Sequence, residues 1–254
     1  MQILIGCAKD MSESPSIQTP WLSLPRFADE AASLAKDMAQ YDETELQDML
    51  HISSPLAHTV KRRYMRFVDS DNAPQAAIAA YNGVVFRNMS LDDFSQADFD
   101  YAQRHLWITS FLYGLLRPLD GIKSYRLEGN VVLPETGVSM FRYWSPRLTG
   151  LLIDSVKADD GILVDLASGE MRHLFDWRKV EKELRVVRPE FLVYKNGTMK
   201  ALSVYAKKCR GAMTSWILRD RITDPAQLSA FTYQGFSYRG DNTSADNPVF
   251  VLDA

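Results

Sequence analysis

Cysteine is nearly absent from these 254 residues, with Cys7 and Cys209 the only two. A pair so far apart gives neither a disulfide framework nor the spacing of a structural metal site, and it points to a reducing, cytoplasmic compartment. Histidine is scarce as well. His51, His58, His105 and His173 lack ligand spacing, so no metal is expected. No apolar run approaches the roughly 20 residues of a membrane-spanning helix. The opening Met1 to Asp10 lacks the length and basic start of a secretory signal. Neither a Walker loop nor a GxGxxG fingerprint occurs, which leaves a nucleotide cofactor without support, and none is expected. A formal net charge of −3 also removes any general attraction to nucleic acid.

Binding to an anion must therefore come from local clusters, and these exist. Lys61, Arg62, Arg63 and Arg66 crowd one short stretch, and Lys207, Lys208 and Arg210 another. The first cluster lies in a helix expected from Pro55 to about Val68, capped by Ser53 or Ser54. Its apolar stripe of Leu56, Val60, Tyr64 and Phe67 leaves most of the cations off the buried face. Other expected helices run from Pro25 to Gln40, from Asp42 (as cap) to Leu50, and from Ala73 to Tyr81, so the N-terminal third forms a helical layer. Beyond it the chain alternates. Strands are expected at Gln2–Ile5, Leu106–Leu112, Ile162–Ala167, Phe231–Tyr238 and Val249–Leu252. Helices are expected at Met140–Val156, Ser168–Val180 and Lys207–Arg221. Lys195-Asn196-Gly197 marks a hairpin between Leu192–Tyr194 and Met199–Tyr205. This mixture predicts a single α+β domain over residues 1–254, with a mixed sheet.

Three stretches set charge where a packed core would not want it. They are Leu112-Tyr113-Gly114-Leu115-Leu116-Arg117-Pro118-Leu119-Asp120 with Tyr125-Arg126-Leu127-Glu128, then Val164-Asp165-Leu166-Ala167-Ser168-Gly169-Glu170, then Tyr205-Ala206-Lys207-Lys208-Cys209-Arg210-Gly211. Each runs from apolar, strand-like residues into charge beside a glycine or a helix start. Together they predict one polar cleft at strand ends, built to hold an anion through Lys9, Arg117, Arg126, Glu128, Ser168, Glu170, Lys207, Lys208 and Arg210. Plainer readings stand beside this one. Ser168 serves as an ordinary N-cap, Arg117 as half of an internal ion pair, and Lys9 as an exposed loop lysine. Cations at the start of the last long helix oppose its dipole, which fits a bound phosphate; an ion pair with Glu170 or Glu128 is the alternative.

At these same residues the chain resembles the YaaA family of bacterial peroxide-stress proteins, with the blocks in the same order from Gln2 to about Phe250. The resemblance implies a cytosolic protein that limits free iron and oxidative damage during hydrogen peroxide exposure. It further implies a fold particular to the family, with a positively charged cleft and a helix-hairpin-helix-like element that binds double-stranded DNA. That element maps here to about residues 50–67, where Ser53-Ser54-Pro55 stands in place of a glycine-rich turn. Two other positions depart from the family pattern: the opening reads Gly6-Cys7-Ala8-Lys9, and Met171 follows Glu170 where relatives carry an aromatic.

Two functions follow as expectations. In the first, Lys61, Arg62, Arg63, Arg66, Lys207, Lys208 and Arg210 meet DNA phosphates without sequence preference. In the second, the cleft serves an enzyme or binding protein for a small phosphorylated or nucleoside-like ligand, with Glu128 or Glu170 as acid or base. No recognised catalytic motif decides whether the chain is an enzyme.

Overall fold

The computed structural model describes residues 1–14, 17–240 and 244–253. The chain opens with β1 (Gln2–Ile5), four buried residues in a row. A helical layer follows: α1 (Ala28–Met38), α2 (Glu43–Leu50) and α3 (Ser54–Met65). Asp42 caps α2 through a box with Glu45, satisfying two otherwise orphaned N–H groups. The turn between α2 and α3 is tight, because His51 ends α2 in the left-handed region at φ 51° and ψ 50°.

The expected helix over 73–81 is instead β2 (Gln75–Ala76) and one turn of α4 (Ala77–Ala80). Pro74 disfavours helix at the residue before it. The donors that a helix would use go elsewhere: Ala77 N–H to the Asp120 carbonyl at 2.9 Å and Ile78 N–H to that of Pro118 at 3.0 Å. Next come α5 (Val84–Arg87) and α6 (Gln96–His105). The sequence reading missed α6, although Ser95 and Asp98 form its capping box.

The remainder supplies β3 (Leu106–Ser110), β4 (Gly114–Leu116), β5 (Gly121–Ile122), α7 (Met140–Asp159), β6 (Ile162–Asp165), α8 (Trp177–Glu183), β7 (Arg185–Val187), β8 (Glu190–Lys195), β9 (Thr198–Lys200), α9 (Ser203–Arg219), β10 (Ser237–Tyr238) and β11 (Val249–Asp253). Three expectations are corrected here. The stretch 168–180 is a 3₁₀ turn over Gly169–Leu174 and then α8, which Asp176 caps separately. Strand β9 stops at Lys200, and α9 begins four residues before Lys207. Of the strand expected over 231–238, only Ser237–Tyr238 pairs as a strand.

The larger sheet runs β4-β3-β1-β6-β7. Strands β3, β1, β6 and β7 are parallel, with Ile3 beside Leu106 on one flank and Val164 on the other, and β4 closes one edge antiparallel. A parallel strand covered on both faces reads as an unbroken apolar run, as β1 does. The second sheet, β10-β11-β8-β9, is mixed and packs on α9, and β2 pairs with β5. One hydrophobic cluster runs from Met1 to Phe250 through both halves, so the α+β class expected from the sequence holds. No helix among the described residues is long and apolar enough to cross a membrane.

The topology also sets where a ligand can go. From β1 the chain next joins this sheet at β3, on one side, and from β6 it continues to β7, on the other. The loops after β1 and β6 therefore part over the carboxyl ends of the parallel strands. Such a switch point is where open α/β sheets place their binding crevices.

Candidate functional site

A cleft of about 320 Å³ lies at that point. Its walls come from the loop after β1 (Cys7 to Asp10), the α5 segment (Gly83 to Arg87), Phe111 after β3, the strip Tyr125–Leu127, the turn after β6 (Ser168, Glu170, Met171), and Lys207 of α9. Gly83 lets two of these walls meet. A Cβ placed there would stand 2.6 Å from the Ala8 Cβ. Behind the cleft, the Tyr125 hydroxyl bonds to those of Tyr81 at 2.8 Å and Ser110 at 2.7 Å. All three side chains are buried, and Ser110 also accepts the Tyr113 N–H, so this wall is fixed by hydrogen bonds.

Three of the charged groups read from the sequence form one cluster. Lys9 Nζ lies 2.8 Å from Glu128 Oε2, and Arg126 Nη2 lies 2.9 Å from Glu128 Oε1. Arg126 also donates to the Lys9 carbonyl at 3.3 Å. One carboxylate thus holds two cations, leaving a local charge of +1. Elsewhere in the lining, Arg87 and Lys207 are exposed and have no ion-pair partner among the described residues. Asp10 and Glu170 complete the charged lining. Ser168 is half-buried and its side chain caps nothing.

The cleft therefore gathers Lys9, Arg126, Ser168, Glu170 and Lys207 in its lining, with Glu128 held next to it by Lys9 and Arg126. Arg117, Lys208 and Arg210 stand outside it. Because β4 runs antiparallel to β3, Arg117 emerges at the opposite end of the sheet. There it lies 3.4 Å over the Trp107 ring and donates to the Arg104 carbonyl at 3.0 Å and to Ser155 Oγ at 3.3 Å. Burial lowers its guanidinium to about 10, so it stays charged at neutral pH as part of the packing. Lys208 sits 6.0 Å over the Tyr205 ring. Arg210 is half-buried; burial lowers its pKa, and Asp165 opposes that shift.

Asp165 anchors a separate charged core under the turn that follows β6. Its side chain is fully buried, with Arg172 Nε at 2.8 Å and Arg188 Nε at 3.5 Å. It also accepts the Ala167 N–H at 3.1 Å. Burial outweighs these partners and raises its carboxyl above the usual range.

The α3 cations divide by their partners. Lys61 donates to the Ala39 and Tyr41 carbonyls at 2.8 and 2.7 Å and is half-buried. Arg62 and Arg63 reach Glu13 at 3.4 and 3.8 Å, and Arg66 reaches Asp71 at 2.9 Å. Arg62, Arg63 and Arg66 line an open groove of about 770 Å³ together with Trp21 and Gln75.

Neither thiol is set up to react. Burial pushes Cys7 up to about 12, against a smaller opposing hydrogen bond with Thr109. Burial likewise takes Cys209 to about 12, with Lys208 pulling weakly downward. Iodoacetamide at pH 8 should therefore leave both unmodified in the folded protein and label both after denaturation. Rapid labelling of the native chain would contradict this placement.

Sequence reasoning missed Asp10, the α5 wall with Arg87, and Gly211. For the wall the signal is Asn82-Gly83, which directly follows the helix expected over 73–81. Gly211 was quoted as part of a motif without a role. A Cβ on Gly211 would meet the Val85 carbonyl oxygen at 2.1 Å, so this glycine is what seats the α5 wall against α9.

Residues 1–242 match the family model for the peroxide stress protein YaaA. A UPF0246 protein of Phocaeicola vulgatus is 46% identical over 253 residues, covering 99% of each chain. Relatives of the same description from Parabacteroides distasonis and Porphyromonas gingivalis are 43% and 38% identical, each over the full length of both chains. With a family model matching residues 1–242 and relatives aligned over nearly the whole chain, the chain belongs to the YaaA family of peroxide stress proteins.

Proposed function

We propose that this protein acts in peroxide defence by holding double-stranded DNA through its phosphates, along a track from α3 to the rim of the cleft. The observation that carries the reading is the join between the two. The Tyr64 hydroxyl of α3 donates to the Arg126 carbonyl at 2.6 Å, and Arg63 stands near enough to Arg126 for the two charges to oppose each other. Arginines of the helical hairpin thus continue into the cluster of Arg126 and Lys9. At the turn, His51 adopts the left-handed conformation that a glycine would ordinarily supply.

In the free protein the exposed α3 arginines rest on exposed acids, Glu13 and Asp71, which are 62% and 73% accessible. Pairs of this kind contribute about 0–1 kcal/mol, so a phosphate displaces the acid at little cost. Lys61, held by two carbonyls, adds to the field but not to the contacts. Backbone contacts alone give affinity without sequence preference. Protection from iron-driven damage then comes from holding the DNA itself. The two unpaired thiols support a cytoplasmic setting.

Fluorescence anisotropy with a labelled duplex across a salt series tests this. Contacts from Arg62, Arg63, Arg66, Lys207 and Lys208 give a slope of log K against log salt of about −4.5. Arg62→Ala/Arg66→Ala should flatten it by about 2 and weaken binding for every sequence alike. A flat salt response, or a double variant that binds as the parent does, sinks the proposal.

A further inference from the structure

We propose that the interior of the cleft is a separate site for a free nucleoside monophosphate. A base-paired duplex is too wide to enter it and can touch only its rim. At about 320 Å³ it falls at the small end of ligand pockets, the size of one nucleotide. It also occupies the position at the carboxyl ends of parallel strands where such ligands bind in open α/β sheets.

Its lining supplies what each part of that ligand needs. Val85, Phe111, Leu127 and Met171 provide apolar surface for a flat ring. Arg87 and Lys207, free of ion pairs among the described residues, serve the phosphate dianion. Asp10 and Glu170 are equally free and accept hydrogen bonds from sugar hydroxyls. A simple anion trap would not set two unpaired carboxylates among its cations; a ligand carrying both phosphate and hydroxyl donors accounts for both. The site is preformed, since the Tyr81–Tyr125–Ser110 hydroxyl chain fixes one wall and the Gly83–Ala8 contact another. Little ordering cost then falls on binding.

Isothermal titration with AMP, GMP, CMP and UMP decides the matter, with adenosine and inorganic phosphate as partial ligands. At least one monophosphate should bind with a dissociation constant of about 0.1 mM or tighter, and the partial ligands at least about tenfold more weakly. Lys207→Ala and Arg87→Ala should each weaken the monophosphate by about tenfold while the melting temperature stays put. The proposal is overturned if folded protein takes up none of the four at about 1 mM, or if inorganic phosphate binds as tightly as the best of them. Equal binding by both variants overturns it too. The probes are free nucleotides, so failure of duplex binding leaves this result untouched, and the reverse also holds.

Discussion

Replacing Gly211 with alanine should cost about 3 kcal/mol or more, seen as a fall of about 10 °C in melting temperature. The added Cβ would sit 2.1 Å from the Val85 carbonyl oxygen and 3.0 Å from its carbon. Both are backbone atoms, so no side-chain rotation relieves the clash. Either α5 lifts from α9 or α9 bends. In a typical exposed helix the same change would stabilise by up to about 1 kcal/mol, because alanine is the better helix former. The sign of the effect therefore separates close packing from propensity. Since α5 carries one wall of the cleft, the variant should also lose ligand binding at temperatures where it remains folded. A Gly211→Ala protein as stable as the parent would show that the two helices do not meet at this glycine.

Asp165→Asn should cost about 3 kcal/mol, because it leaves Arg172 and Arg188 facing a neutral amide in a buried site. Neither arginine is fully enclosed, which keeps the cost near the lower end for broken buried pairs. A pH series adds a second readout. The folded carboxyl keeps its proton to a higher pH than the unfolded one, whose ordinary value is 3.8. Stability contributed by this group thus falls as pH rises from about 3.8 toward the raised folded value, and the Asn variant lacks that slope. Urea melts of both proteins from pH 4 to 7 should show the gap between them narrowing as pH rises through that window. A variant with unchanged midpoint and slope would remove Asp165 from its role as the anchor beneath the cleft.

Strongly periodic or capped segments declared themselves in the sequence. The apolar run of β1, the Asp42 capping box, the long helices α7 and α9 and the Asn196-Gly197 hairpin each rest on a local signal. Segments settled by distant partners did not. The chain at 75–78 reads as helix until the carbonyls of residues 118–120 draw its donors away. Within the candidate site, charge at strand ends pointed to Lys9, Arg126, Glu128, Glu170 and Lys207, because uncompensated charge beside an apolar run is a local fact. Arg117 carried the same signature for another reason. Only strand direction shows it, since β4 runs opposite to its neighbour β3 and delivers the residue after it to the far end of the sheet. The α5 wall was invisible for a related cause: it enters the cleft through its packing on α9, a contact no window of sequence contains.

The weak acidity of both thiols, Cys209 in the core and Cys7 half-buried at the cleft wall, bears on how this protein meets oxidant. A thiol near 12 is ionised at pH 7 to only about 10⁻⁵, and it is the thiolate that peroxide oxidises. Of ten methionines, Met65 alone is exposed, at the outer end of α3. Sulfoxide formed there adds polarity where water already stands and spares the core. A burst of oxidant thus meets little thiolate and one exposed thioether.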